Sequence, residues 1–109
     1  MDEQYNLIGE MILAIVSADG RITRDELREV QKVAPKFIDK FDERWFSDFY
    51  NNFPRKPDFY DCARALNDNL SSEEKNNYYQ LLEFIAKSDE LEHVEEVMLQ
   101  RLKLIWEME

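Results

Sequence analysis

The stretch Ala14-Ile-Val-Ser-Ala-Asp19-Gly20-Arg-Ile22-Thr23-Arg-Asp25-Glu26-Leu27 constrains this chain more than any other. An apolar helix runs into Asp-Gly, one aliphatic residue follows, and a second helix begins with acids in its first turn. Gly20 suits the left-handed position just past a helix end. Thr23 and Glu26 have the spacing of a capping box, in which each side chain satisfies the other's free backbone amide. A degraded copy recurs at Phe84-Ile-Ala-Lys-Ser-Asp89-Glu-Leu91-Glu-His93-Val-Glu95-Glu96-Val97. Two helix–acidic turn–helix units, one near each end, predict an internal duplication. They also set carboxylates at two helix junctions, where a cation can be held.

Helical periodicity continues through the rest of the sequence. The first helix is expected from about Glu3 to Ala18, with Ile8, Met11, Ile12, Ile15 and Val16 as one buried stripe. Gly9 lies inside it, where glycine costs about 1 kcal/mol relative to alanine. Leu27, Val30 and Val33 give the second helix its inner face, and Pro35 closes it or opens the next. Phe37, Phe41, Trp45, Phe49 and Phe53 follow at four-residue spacing, flanked by Ile38 and Phe46. Rings four apart stack along one side of a helix, and their area favours a core role over a ligand groove.

Residues 51–57 read as a loop broken by Pro54 and Pro57. A fourth helix follows to about Asn69, with Phe59, Cys62, Ala63 and Leu66 inward. Ser71-Ser-Glu-Glu74 is a second capping box. It opens a fifth helix with Tyr78, Leu81, Leu82, Ile85 and Ala86 inward. Asp89–Leu91 turn the chain into a sixth helix, with Val94, Val97, Met98, Leu102 and Ile105 apolar and Trp106 capping the core. With only 2 Gly and 3 Pro, and no period-two alternation of β-branched residues, strands have little support. The expected fold is all-α: one domain, 1–109, built as a compact bundle of about six helices.

The net charge of −10 opposes nucleic acid and anionic membrane surfaces, whose binding needs clustered Lys and Arg. It favours divalent cations or basic protein surfaces, and it also serves plain solubility. Cys62 is the single cysteine, so no intrachain disulfide forms, and its helical setting marks it as a small buried hydrophobe. No apolar run approaches a membrane span, and the N-terminus does not read as a signal peptide. A reducing cytoplasm is the expected compartment.

The segment Asp19-Gly20-x-Ile22-x-x-x-Glu26 matches the second half of an EF-hand calcium loop. The first half is missing, because the first ligand position would fall on Ile15, which cannot coordinate. Asp19, Asp25 and Glu26 can supply two or three oxygens, whereas a hard cation takes six or more. The remainder would come from Asp89, Glu92, Glu95 or Glu96 of the other unit, if the two turns face each other. The competing account needs no metal: acids in a first helical turn are favoured by the helix dipole and by capping. His93, the only histidine, lies among these carboxylates where a transition metal can recruit it, although a lone surface histidine in a helix's first turn is far more often unremarkable. No nucleophile–base spacing, glycine-rich phosphate loop or zinc framework is present to suggest an enzyme.

The two segments resemble the paired signatures of the TerB-like (tellurite-resistance B) family, which is related to the N-terminal domain of DjlA-type membrane co-chaperones. That family repeats an Ile-Ala-x-Ala-Asp-Gly helix end, an aliphatic residue and an acid-rich helix start. The first copy fits well. In the second, Glu90 stands where glycine is expected and the turn is shorter. The resemblance implies a compact helical fold, a non-enzymatic role in stress response or defence, and partners that include membrane-associated proteins. It also implies a divalent-cation site, with Ca²⁺ or Mg²⁺ as candidates, at Asp19, Glu26, Asp89 and Glu95 or Glu96. A second function class remains open from the residues alone: an acidic inhibitor or immunity-type protein covering a basic surface. The high negative charge and the pair Tyr78-Tyr79 motivate it, since tyrosines are favoured hot-spot residues.

Overall fold

Met11-Ile-Leu-Ala-Ile-Val16 is apolar without a break, and it becomes the centre of the molecule. A computed structural model describes residues 3–18, 24–38, 41–54, 56–87 and 93–108, the side chain of His93 excepted. Among these, six α-helices form and no strand: α1 (Glu3–Val16), α2 (Arg24–Val33), α3 (Glu43–Asn51), α4 (Phe59–Asn67), α5 (Ser72–Lys87) and α6 (His93–Ile105), with a 3₁₀ turn at Ala34–Lys36. The order repeats a helix pair, α1–α2 then α5–α6, with α3 and α4 between.

Every residue of α1 from Ile8 to Val16 is buried, not only the expected stripe. The reason is position: α3, α4 and α5 all pack on α1, so it has no wet side over that length. A helix apolar on all sides belongs in the interior. The core continues through Phe46, Phe59, Cys62, Leu66, Leu81, Leu82 and Leu102, and Cys62 is buried as expected. Trp106 closes this core, its Nε1–H donating to the Ala63 carbonyl at 2.8 Å. On α6 the buried row is Met98, Leu99 and Leu102, while Val94 is 45% exposed. That row faces α4 and α5, and Val94 lies at the open end of the helix.

The aromatic ladder does not ride on a single helix. Residues 34–36 make a 3₁₀ turn, and α3 begins only at Glu43, because Asp42 caps it by accepting from the Arg44 and Trp45 amides. The ring spacing nevertheless persists across the cap: Phe41–Trp45 at 6.4 Å, Trp45–Phe49 at 5.3 Å and Phe49–Phe53 at 5.3 Å. These rings are half-buried against the core, while their flanking neighbours Ile38 and Phe46 are fully inside it. Gly9 has its explanation here. A Cβ at that position would come within 3.1 Å of both the Trp45 and Phe49 rings, so the glycine lets α3 lay its aromatic edge on α1.

Capping follows the sequence closely elsewhere. The Ser71 hydroxyl accepts from the Glu74 amide at 3.1 Å, and Glu74 accepts from the Ser71 amide at 3.0 Å. That second bond, from a backbone N–H to a carboxylate, holds the Glu74 carboxyl below its ordinary value. Asp58 caps α4 rather than lying inside it, accepting from the Asp61 amide at 3.0 Å. Gln4 ties α1 to α5 by donating to Glu74 and to the Tyr78 phenol oxygen. The Thr23 cap, the Gly20 turn and the Asp89–Leu91 turn lie outside the described residues.

Candidate functional site

Each acidic turn is reached from both sides by helices whose ends are described. Glu26 lies in the first turn of α2 and is half-buried; Asp25 beside it is exposed. Glu95 and Glu96 lie in the first turn of α6, the first half-buried and the second exposed. Asp19, Asp89 and Glu92 lie outside the described residues. Among the described residues no group of three His, Cys, Asp or Glu side chains is gathered closely enough to hold an ion. Glu26, Glu95 and Glu96 alone are therefore not a metal centre. Any such centre at the turns has to draw on residues outside the described ones, such as Asp19, Asp89 or Glu92.

What the structure does bring together is the backbone on either side of the turns. A cleft of about 890 Å³ is lined by Ala14, Ser17 and Ala18 at the end of α1 and by Val94 and Met98 at the start of α6. Its third wall is residues 56–60, which lead into α4. Ala18 directly precedes Asp19, and Val94 comes three residues after Leu91, the end of the second turn. The chain thus enters one acidic turn and leaves the other at the same cleft. Short helices explain this: α1 and α6 both pack on α4, and the start of α4 lies where they meet.

Two charged residues of this region carry no motif. Glu10 is only 5% exposed, and its carboxylate accepts from the Asp58 amide at 2.8 Å, fixing the α4 cap to the middle of α1. Lys56 reaches the cleft wall just ahead of it. The signal for Glu10 was an acid on the face of an otherwise apolar run, next to Gly9. The signal for Asp58 was Pro57-Asp58 followed by an acid three residues on, a cap pattern.

Tyr78 and Tyr79 are 5% and 8% exposed. They belong to the core face of α5, which removes them as hot spots of an inhibitor surface. Burial also raises the Tyr79 phenol above its ordinary value, with Glu83 adding to the effect, while the Lys103 ammonium lies 5.2 Å from its ring centre.

The family model described as tellurite resistance protein TerB matches residues 10–108. The chain belongs to the TerB family. Nothing among curated proteins and nothing among solved structures matches it. The match covers both acidic units of this TerB domain and the aromatic segment between them, and so all of the helical array except the first half of α1. No described helix is long and apolar enough to cross a membrane.

Proposed function

We propose that this TerB chain is a single non-enzymatic domain that holds a divalent cation between its two acidic turns, and that the loaded turns present a surface to a protein partner. The observation that carries this reading is the shared cleft: Ala18 and Val94, the residues flanking the two turns, line one cavity. The ligands assigned to the cation are Asp19 and Asp89, with Glu26, Glu95 and Glu96 as the carboxylates that complete an oxygen-rich set. Six or more oxygens are needed, so neither unit suffices alone. The family description, tellurite resistance protein TerB, supports a setting of tellurite stress, and a wider stress or defence role with membrane-associated partners is part of the same proposal. Cytoplasmic residence is part of the same proposal.

Thermal melting of metal-stripped protein tests it, in the absence and presence of 1 mM Ca²⁺, Mg²⁺, Mn²⁺ or Zn²⁺. An ion bound only by the folded state at one hundred times its Kd adds about 2.7 kcal/mol, a shift of many degrees for a chain of this size. At least one ion is expected to raise the melting temperature, and Asp19→Ala and Asp89→Ala should each remove the rise. A wild type indifferent to all four ions overturns the site. A rise that survives Asp89→Ala but not Asp19→Ala overturns the bridging geometry.

A further inference from the structure

A chain of net charge −10 carries two arginines one helical turn apart on α2, and neither forms an ion pair or hydrogen bond with any described residue. Five other basic side chains are committed. Arg64 pairs with Asp61, Lys87 with Glu83, and Lys75 donates to Asn67. Arg101 and Lys103 lie over the rings of Tyr60 and Tyr79. Arg24 and Arg28 instead line a pocket of about 210 Å³ between α2 and α3, together with Leu27, Phe46, Ser47 and Tyr50. Among the described residues no carboxylate lines it. With Gln31 and Asn51 also on its wall, the pocket combines apolar and aromatic surface, two guanidinium groups, two hydroxyls and two side-chain amides.

We propose that this α2–α3 pocket binds one phosphomonoester group carried on an apolar ring. Guanidinium forks match phosphate oxygens bidentately. A phosphomonoester carries about −1.5 to −2 charges at neutral pH, which two guanidinium groups balance and a carboxylate does not. The pocket is smaller than the roughly 300–1,000 Å³ typical of sites for drug-sized ligands, so it takes a single phosphorylated group rather than a larger nucleotide. Leu27, Phe46 and Tyr50 give the carrier an apolar seat. The inference is independent of any cation at the turns.

Amide NMR titration of the full chain tests it, with phenyl phosphate, inorganic phosphate, phenyl sulfate and glucose 6-phosphate as probes. Phenyl phosphate is expected to move amides of residues 24–31 and 46–51 and to bind at least about 10-fold more tightly than phenyl sulfate or glucose 6-phosphate. Arg24→Gln and Arg28→Gln should each weaken it by about 10-fold. Arg64→Gln, on α4, should leave it unchanged and guards against a general charge effect. Shifts confined to other residues, or equal binding by all three variants, overturn the proposal. Phenyl sulfate binding as tightly as phenyl phosphate overturns the charge match on which it rests. A phosphotyrosine pentapeptide that matches phenyl phosphate assigns the group to a protein partner; one that fails to bind while phenyl phosphate does assigns it to a small molecule.

Discussion

The two helix pairs share a sequence pattern but not an environment. In the first pair, α1 is buried from Ile8 to Val16 on every side. In the second, α5 buries Tyr78, Tyr79, Leu81, Leu82, Ile85 and Ala86, yet Phe84 among them is 46% exposed. The difference arises because α1 is walled by α3, α4 and α5 together, whereas α5 keeps a wet edge. A duplicated pattern thus specifies two helix–turn–helix units, and the insertion between them decides which becomes the centre. The aromatic segment with α3 is laid against the first unit, and Gly9 is the residue that admits it.

The contrast is broken most sharply by truncating a buried position in the first pair and an exposed one in the second. Ile12→Ala, at a site with no exposure, is expected to cost about 2–5 kcal/mol in chemical denaturation. Phe84→Ala, a larger truncation on the wet edge of α5, should change stability by no more than about 0.5 kcal/mol. Equal losses would mean that the two helices are equally enclosed. Gly9→Leu comes next, at about 1–3 kcal/mol, because the new side chain meets two rings already within contact distance of a Cβ. Its tryptophan fluorescence should shift toward the exposed range as Trp45 is pushed outward, and an unchanged spectrum would show that α3 does not rest on α1 there.

The smallest effect sharpens the second unit at its start. Ser71→Ala removes the hydroxyl that caps α5 and should cost about 1 kcal/mol. The partner in that box titrates. Glu74's carboxyl is held below its usual value of 4.5 in the folded chain, chiefly by the Ser71 amide. Its contribution is present above the unfolded value and is lost as pH falls through the depressed folded one. Glu74→Gln should therefore be less stable than the parent at pH 7 and lose that deficit in acid. A deficit that stays constant from pH 7 to pH 3 would break the assignment.

Much of the architecture was legible in the residues. Apolar spacing located the helices, and Ser71-Ser-Glu-Glu74 marked the start of α5 to the residue. The boundary of α3 was not legible, since the aromatic spacing runs straight through Asp42 and the ring pattern outweighed a single capping residue. Only half of the candidate site was legible as well. Asp19, Glu26, Asp89, Glu95 and Glu96 announce themselves as acids at helix junctions. Nothing in linear order says that Ala18 and Val94 border one cleft, because that depends on how α1 and α6 both lean on α4.

Local rules act within a few residues, so the sequence by itself determined where most of the helices lie and that acids crowd two junctions. Burial of Glu10 against the Asp58 amide, the ring contact that requires Gly9, and the meeting of Arg24 and Arg28 with Phe46 and Tyr50 each join residues far apart in the chain. Only the tertiary structure decided those, because the free energy of packing depends on which helix faces are brought together, and periodicity is silent on the choice of partner.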